Sequence, residues 1–400
     1  MRIATSHLFQ STSLAITQQQ GGIAKVQEQI ASGKRLLRPS DDPAGATRVL
    51  DLTQGIERVE QFSKNAAAAE QRLVIEDTVL ASVTNLLQRV RELALAANSG
   101  TQSAEERAAY RGEVEQQLDQ LLDDANSQDG NGDHLFSGFK GRTPPFIASG
   151  AQVLYNGDQG QQMVQVGAVR QVATGDPGTE VFQRIPNGNG TFVVSSLSGN
   201  TGSGIITAGS VIDPNSYLPH DFTLRFTSDI TFDVINDTTG TTVASSQSYM
   251  PGNSISFNGI ETSISGVPRN GDEFRSGPSQ NQDMFATLRN FINAMAIDPV
   301  DAPTRAQLTQ TMNGVITDLG NSLGHVLEVR TAVGARLNSL DALREENEAL
   351  KIQLQKARSE VQDLDYAEAV SRLQLQMTTL QGTLQSFAQI EQLSLFNLLR

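Results

Sequence analysis

The sequence predicts a mainly α protein with a β insertion, on three observations. Apolar residues recur at helical spacing at both ends of the chain. Between about Asp129 and Gly277 that period disappears, and Gly, Asn, Thr and Ser rise among short β-rich runs. After Pro278 the helical stripe resumes and continues to the C-terminus.

The elements follow in order. Phe9, Ile16, Ile23, Ile30 and Leu37 recur every seven residues, with Val26 between them, so one narrow stripe must pack on another helix to leave water. The break at Arg38-Pro39-Ser40-Asp41-Asp42-Pro43 ends this helix, because Pro39 disfavours helix at Arg38. Asp42 then reads as an N-cap and Pro43 as a first-turn proline. The next helix runs to about Ala97 on Val59, Phe62, Ala66, Ala69, Leu73, Leu80, Val83, Leu87, Val90 and Ala94, with Glu76 as the one polar interruption. Asn98-Ser99-Gly100 stops it. Ser103 with Glu106 is a capping-box signature for a third helix, with Val114, Leu118, Leu121 and Ala125 on its apolar face. The short loop makes the pair antiparallel.

One or more hairpins are expected around Phe136 to Val181, followed by one small antiparallel β domain. Thr223 to Phe226 and Ile230 to Ile235 have strand content, and Asn236-Asp237-Thr238-Thr239-Gly240 is a turn. Ile255 to Phe257 and Ile260 to Thr262 flank Asn258-Gly259, a two-residue hairpin signal. Met284 to Met295 is a short amphipathic helix, stopped at Asp298-Pro299. A long helix starts near Pro303 and carries Met312, Ile316, Leu319, Leu323, Val326, Val333, Leu337 and Leu340, with Arg330 on the same stripe. Gly314, Gly320 and Gly324 weaken it by ~1 kcal/mol each relative to Ala. Tyr366, Val370, Leu373, Met377, Leu380, Leu384 and Phe387 step four and three toward the apolar tip Leu395 to Arg400.

The two ends are therefore complementary heptad helices. Their seams are rich in Ala, Ser and Gln, so a lone pair buries modest area and is expected to order on assembly. An ordinary helical bundle with slightly polar ends fits the same pattern.

Composition excludes several functions. The 44 acidic against 30 basic residues give a net charge of −14, which lacks the footprint of a nucleic-acid binder. Without cysteine there are no disulfides, thiolate metal sites or thiol nucleophiles. The first twenty residues hold no continuous apolar run, and no stretch approaches the ~18 apolar residues of a membrane span. Taken alone, that predicts a cytoplasmic protein, with specialised export of uncleaved chains left open.

No catalytic constellation emerges. His7, His134, His220 and His325 are scattered. Asp129-Gly130-Asn131-Gly132-Asp133 begins like a calcium loop, but His134 and Lys140 stand where Gly and Glu are needed. Val193 breaks the GxGxxG begun at Gly188, and the run from Gly252 to Ser256 misses a nucleophile elbow at its last residue. A structural protein and an acidic hydrolase or binding module with helical ends are the two classes to weigh. The paired heptad termini favour the first.

The terminal residues resemble the flagellin family, which includes filament flagellin and the flagellar hook-associated proteins. The N-terminal match runs through Met1-Arg2-Ile3, Ile30 to Arg35 and Ser40 to Gly45. The C-terminal match includes Arg330, Val333 to Asn338, Asp363 to Ala369 and Leu393 to Phe396. Four stretches are closer to the hook–filament junction branch than to the nearer rival, filament flagellin. They are His134 to Gly138, Thr143 to Phe146, Tyr155 to Asp158 and Pro278 to Phe285. The resemblance implies nested shells: 1–43 with 359–400 as an inner coiled-coil domain, 44–183 with 279–358 as a helical domain with a β-hairpin, and 184–278 as an outer β domain. It implies a secreted, extracellular flagellar subunit at the hook–filament junction, without enzymatic activity, cofactor or metal. The chain would leave the cell unfolded through the flagellar type III export apparatus, with a chaperone on its C-terminal region. The implied partners are a ring of its own copies, hook-associated protein 1 and flagellin, with no nucleic acid and no membrane insertion. Phe9, Ile16, Ile23 and Ile30, with Leu373, Leu380, Leu384 and Phe387, are expected to carry the inner assembly contact.

Overall fold

The computed structural model describes residues 2–99, 102–150 and 152–396, with the backbone alone for 2–6, 8 and 390–396. In chain order the helices are α1 (Arg2–Ser32), α2 (Pro43–Ala97), α3 (Ala104–Ala125), α4 (Met284–Met295), α5 (Ala302–Gln362) and α6 (Tyr366–Phe396). Between α3 and α4 come β1 (Phe146–Ser149), β2 (Gln152–Tyr155), β3 (Met163–Gln165) and β4 (Gln171–Ala173), then a single π-helical turn, Thr179–Gln183. The strands continue as β5 (Ile185–Pro186), β6 (Phe192–Ser196), β7 (Ile205–Ile206), β8 (Ser210–Val211), β9 (Phe222–Ser228) and β10 (Thr231–Asn236). The last are β11 (Thr241–Ser248), β12 (Ser254–Phe257), β13 (Ile260–Ser265), β14 (Glu273–Pro278) and β15 (Asn281–Gln282). The expected tip at 397–400 and the expected stop at Gly100 lie outside the described residues. Chain contacts separate two compact units, residues 1–64 with 342–400 and residues 65–341.

In the first unit, α1 lies against α6, and the opening turns of α2 run beside the closing turns of α5. Asp42 caps α2 as its sequence requires, its Oδ1 accepting from the Gly45 N–H at 2.9 Å. Ile56 and Val59 of α2 and Leu343 of α5 are buried, and Lys351 reaches Glu60 at 3.3 Å.

In the second unit, the α2 stripe from Ala66 to Ala97 is wholly buried at Ala66, Leu73, Leu80, Val83, Leu87, Val90 and Ala94. Against it run α3, through Val114 and Leu121, and α5, through Met312, Leu319, Val326, Val333 and Leu340. Ser82 donates to Asp124 at 2.8 Å and Arg89 pairs with Glu113 at 2.8 Å, which fixes α2 and α3 antiparallel. The capping box at the start of α3 is complete: Ser103 accepts from the Glu106 N–H, and Glu106 accepts from the Ser103 N–H at 2.8 Å. Ser103→Ala is expected to cost about 1 kcal/mol, read as a lowered urea midpoint with an unchanged slope.

Beyond α3, two hairpins form, β1–β2 and β3–β4. Phe136, Phe146, Phe182 and Phe285 close a buried aromatic cluster under α4, with Phe182 carried on the π-helical turn.

The insertion is a sandwich of two antiparallel sheets. One has the order β11-β10-β9-β14-β6, and the other β12-β13-β7, with β8 also paired to β13. Along β10 the side chains alternate inward and outward, and Phe232 and Val234 meet Leu224, Phe226 and Phe274 in a core shared with Ile255, Ile260 and Ile264 of the second sheet. At the β12–β13 turn, Asn258 and Gly259 both have positive φ, 49° and 72°, the geometry an Asn-Gly pair adopts with least strain.

Candidate assembly interface

The first unit pairs α1 with α6 antiparallel. The Phe9 and Phe387 rings lie 5.1 Å apart at one end, and Gln19 Nε2 donates to the Gln376 carbonyl at 3.4 Å in the middle. At the other end, a β-carbon on Gly33 (φ 70°) would come within 2.9 Å of the Tyr366 hydroxyl. That register brings Ile16 level with Leu380 and Ile23 level with Leu373. Val26 and Ala369 are the buried members, while Ile16, Ile23, Ile30, Leu373, Leu380 and Phe387 are half-buried.

The apolar stripe of α6 is really two rows. Leu373, Leu380 and Phe387 turn toward α1. Val370, Met377 and Leu384, also spaced by seven, stay exposed at 51%, 47% and 43%. Leu375 on α6, with Phe9 and Leu14 on α1, is exposed as well. Of the eight residues singled out from sequence, Leu384 therefore faces outward and Phe9 packs on Phe387 with about half its surface in water, while the other six line the seam within the chain. Sequence spacing put Val370 and Met377 on the same seam as Leu373 and Leu380, whereas the structure leaves both side chains exposed.

Below the pair, both helical strands break at one level. Lys34 bridges Asp363, the Arg35 N–H donates to the Gln362 carbonyl at 2.8 Å, and the Leu364 N–H donates to the Gly33 carbonyl at 3.0 Å. Arg35 Nη2 also donates to the Val361 carbonyl at 2.7 Å, tying the two breaks together. Lys25 holds Asp41 at 2.7 Å in the loop that follows α1, and this contact keeps the exposed carboxyl below its usual pKa range.

The polar groups of the second unit serve packing. Asp129, which opens the calcium-like loop, accepts from the Asn131 and Asp133 N–H groups through Oδ1 and pairs with Arg72 Nη1 at 2.7 Å through Oδ2. A guanidinium thus occupies the place a cation would take. His134 and His325 bond the carbonyls of Asn126 and Glu180, each at 2.6 Å, and His220 meets the Asn236 amide at 3.0 Å. Among the described residues no group of His, Cys, Asp or Glu is arranged to hold a metal ion.

Comparison with known proteins agrees with this architecture. The bacterial flagellin N-terminal helical region matches residues 3–140, and the C-terminal helical region matches residues 316–399. Flagellar hook-associated protein 3 of Escherichia coli (strain K12) is 26% identical over 403 residues, spanning 100% of this chain and 99% of the relative. The crystal structure of the flagellar junction protein FlgL from Legionella pneumophila superposes with a TM-score of 0.71 at 30% identity, covering 79% of this chain and 100% of that one. A flagellin of Listeria monocytogenes is 30% identical over 129 residues, 32% of this chain and 45% of its own length. Long end helices with a β insertion, matched in this way, define a structural protein of the bacterial flagellum. The chain belongs to the flagellin family, in its hook-associated protein 3 branch.

Proposed function

We propose that this chain forms the junction between the flagellar hook and the filament, as a ring of subunits outside the cell. The observation carrying this role is the end-to-end match to hook-associated protein 3, β insertion included, where the filament flagellin above aligns over about a third of the chain. The unfilled row Val370, Met377 and Leu384 supports assembly, since a regular apolar stripe left in water is stabilised by a neighbour's helix. The inner pair, 1–43 with 359–400, makes the axial contact through the α1 and α6 rows. The helical domain comprises 44–183 with 279–358, and the outer β domain 184–278. Hook-associated protein 1 is the partner on the hook side and flagellin on the other.

Export precedes assembly. No helix among the described residues is long and apolar enough to cross a membrane, and the chain has no cysteine to mispair when it changes redox compartment. The chain passes unfolded through the type III apparatus, with a chaperone on its C-terminal region, and its ends complete their packing at the growing tip.

Deleting the gene is expected to leave hooks intact and filaments absent, with flagellin released into the medium. Electron microscopy of the cells and blotting of the supernatant read this out. Normal filaments would exclude the junction role.

A further inference from the structure

Glu76 sits in the middle of α2 on the buried stripe, only 1% exposed. Its Oε1 accepts from the Asp176 N–H at 3.1 Å, and its Oε2 has no hydrogen-bond partner. Around it, α2 contributes Arg72 from the preceding turn and Asp77 beside it. The loop after α3 contributes Asp129 and His134, the segment before the π-helical turn Asp176, and α5 Arg330 and Arg336. Arg72 pairs with Asp129 and donates to the carbonyls of His134 and Leu135, and Arg336 pairs with Asp176, while Arg72 Nε and Arg336 Nη1 are buried without a hydrogen-bond partner. Arg330 pairs with Asp77 at 3.0 Å, outside the cluster. His134 spends its ring on Asn126 and Gln128.

Two guanidiniums thus already answer two carboxylates, and Glu76 is a third carboxyl in the same buried space. An ionised Glu76 would leave a net negative charge out of water, with one oxygen bare and the Asp176 carboxylate as neighbour. A neutral acid there leaves two cations facing two carboxylates, so the cluster's formal charge is balanced. We propose that Glu76 is a proton-operated latch: the folded protein holds it as the neutral acid, and losing that proton loosens the segment around 174–178 from α2. Burial first, and then the Asp176 charge, push the Glu76 carboxyl up; the Arg336 and Arg72 charges and the Asp176 N–H pull the other way, and the balance lies at about 8.

The sign follows. Between about pH 5 and 8 the folded state holds a proton that the unfolded chain has released, so stability falls as pH rises through that window. The native protein's unfolding constant should rise roughly tenfold per pH unit more steeply than that of Glu76→Gln, which keeps the acceptor oxygen and cannot ionise.

Urea titrations of both full-length proteins from pH 5 to 9 test this, alongside infrared spectra at pH 6. The native spectrum should show a neutral carboxylic C=O band that vanishes in Glu76→Gln. Equal pH slopes in the two proteins, or no such band, would overturn the latch. If Glu76→Gln does not fold, the native protein alone decides through amide exchange. The opening constant of the Asp176 and Gly178 N–H groups should climb from pH 6 to pH 9, and a flat profile would refute the proposal.

Discussion

Replacing Phe182 with alanine is expected to destabilise the second unit by about 3–5 kcal/mol. Phe182 is fully buried, with ring centroids 5.1 Å from Phe136, 5.4 Å from Phe146 and 6.1 Å from Phe285. The cost of such a truncation depends on whether the neighbours can collapse into the space. Here they are tethered. The Gly178 N–H and the Tyr155 hydroxyl both donate to the Phe136 carbonyl, at 2.8 and 3.0 Å, and Asn126 bonds both the N–H and the carbonyl of Phe146 at 2.9 Å. The rings cannot follow the lost one, so a cavity persists. Phe139, at 66% exposure, is the internal comparison, and its truncation to alanine should shift stability by no more than about 0.5 kcal/mol. Urea denaturation of both variants reads the difference. A Phe182→Ala loss below about 1 kcal/mol would mean that the cluster relaxes freely.

Local chemistry explains which elements were legible in the sequence. Asp42-Pro43, Ser103 with Glu106, and Asn258-Gly259 each satisfy or pre-set particular backbone groups, and each stands where those residues imply. Strand β11 gave no signal, because Thr241–Ser248 lies on a sheet edge with nearly every side chain in solvent, so no alternation was needed. In the second sheet the β12–β13 hairpin was legible, but its partner strands β7 and β8 were hidden, because each is two residues long and below any period. Glu76 read as a mere interruption of a stripe, since what makes it unusual comes from Asp176 and Arg336, far along the chain. The candidate interface was half legible. One-dimensional spacing locates an apolar stripe on α6 but cannot say which of two interleaved rows faces α1, which depends on the register the Phe9–Phe387 and Gln19–Gln376 contacts set.

That division yields the strongest functional expectation. Val370, Met377 and Leu384 together changed to Gln should leave the isolated protein's stability within about 0.5 kcal/mol per site, because each side chain is about half in water already. Assembly should suffer far more. Full burial of such a side chain is worth about 1.5–3 kcal/mol, so covering the exposed half of three gives roughly 3 kcal/mol per subunit contact. That corresponds to about a hundredfold in association, repeated at each neighbour around a ring. Cells carrying the triple variant as the sole copy should secrete it at normal levels and yet lack filaments, with flagellin in the medium. Leu373→Gln with Leu380→Gln makes the contrast, since these side chains turn toward α1. Its isolated form should lose helical circular dichroism from the α1–α6 pair, which the triple variant keeps. Normal motility with the triple variant would show that the outward row of α6 takes no part in assembly.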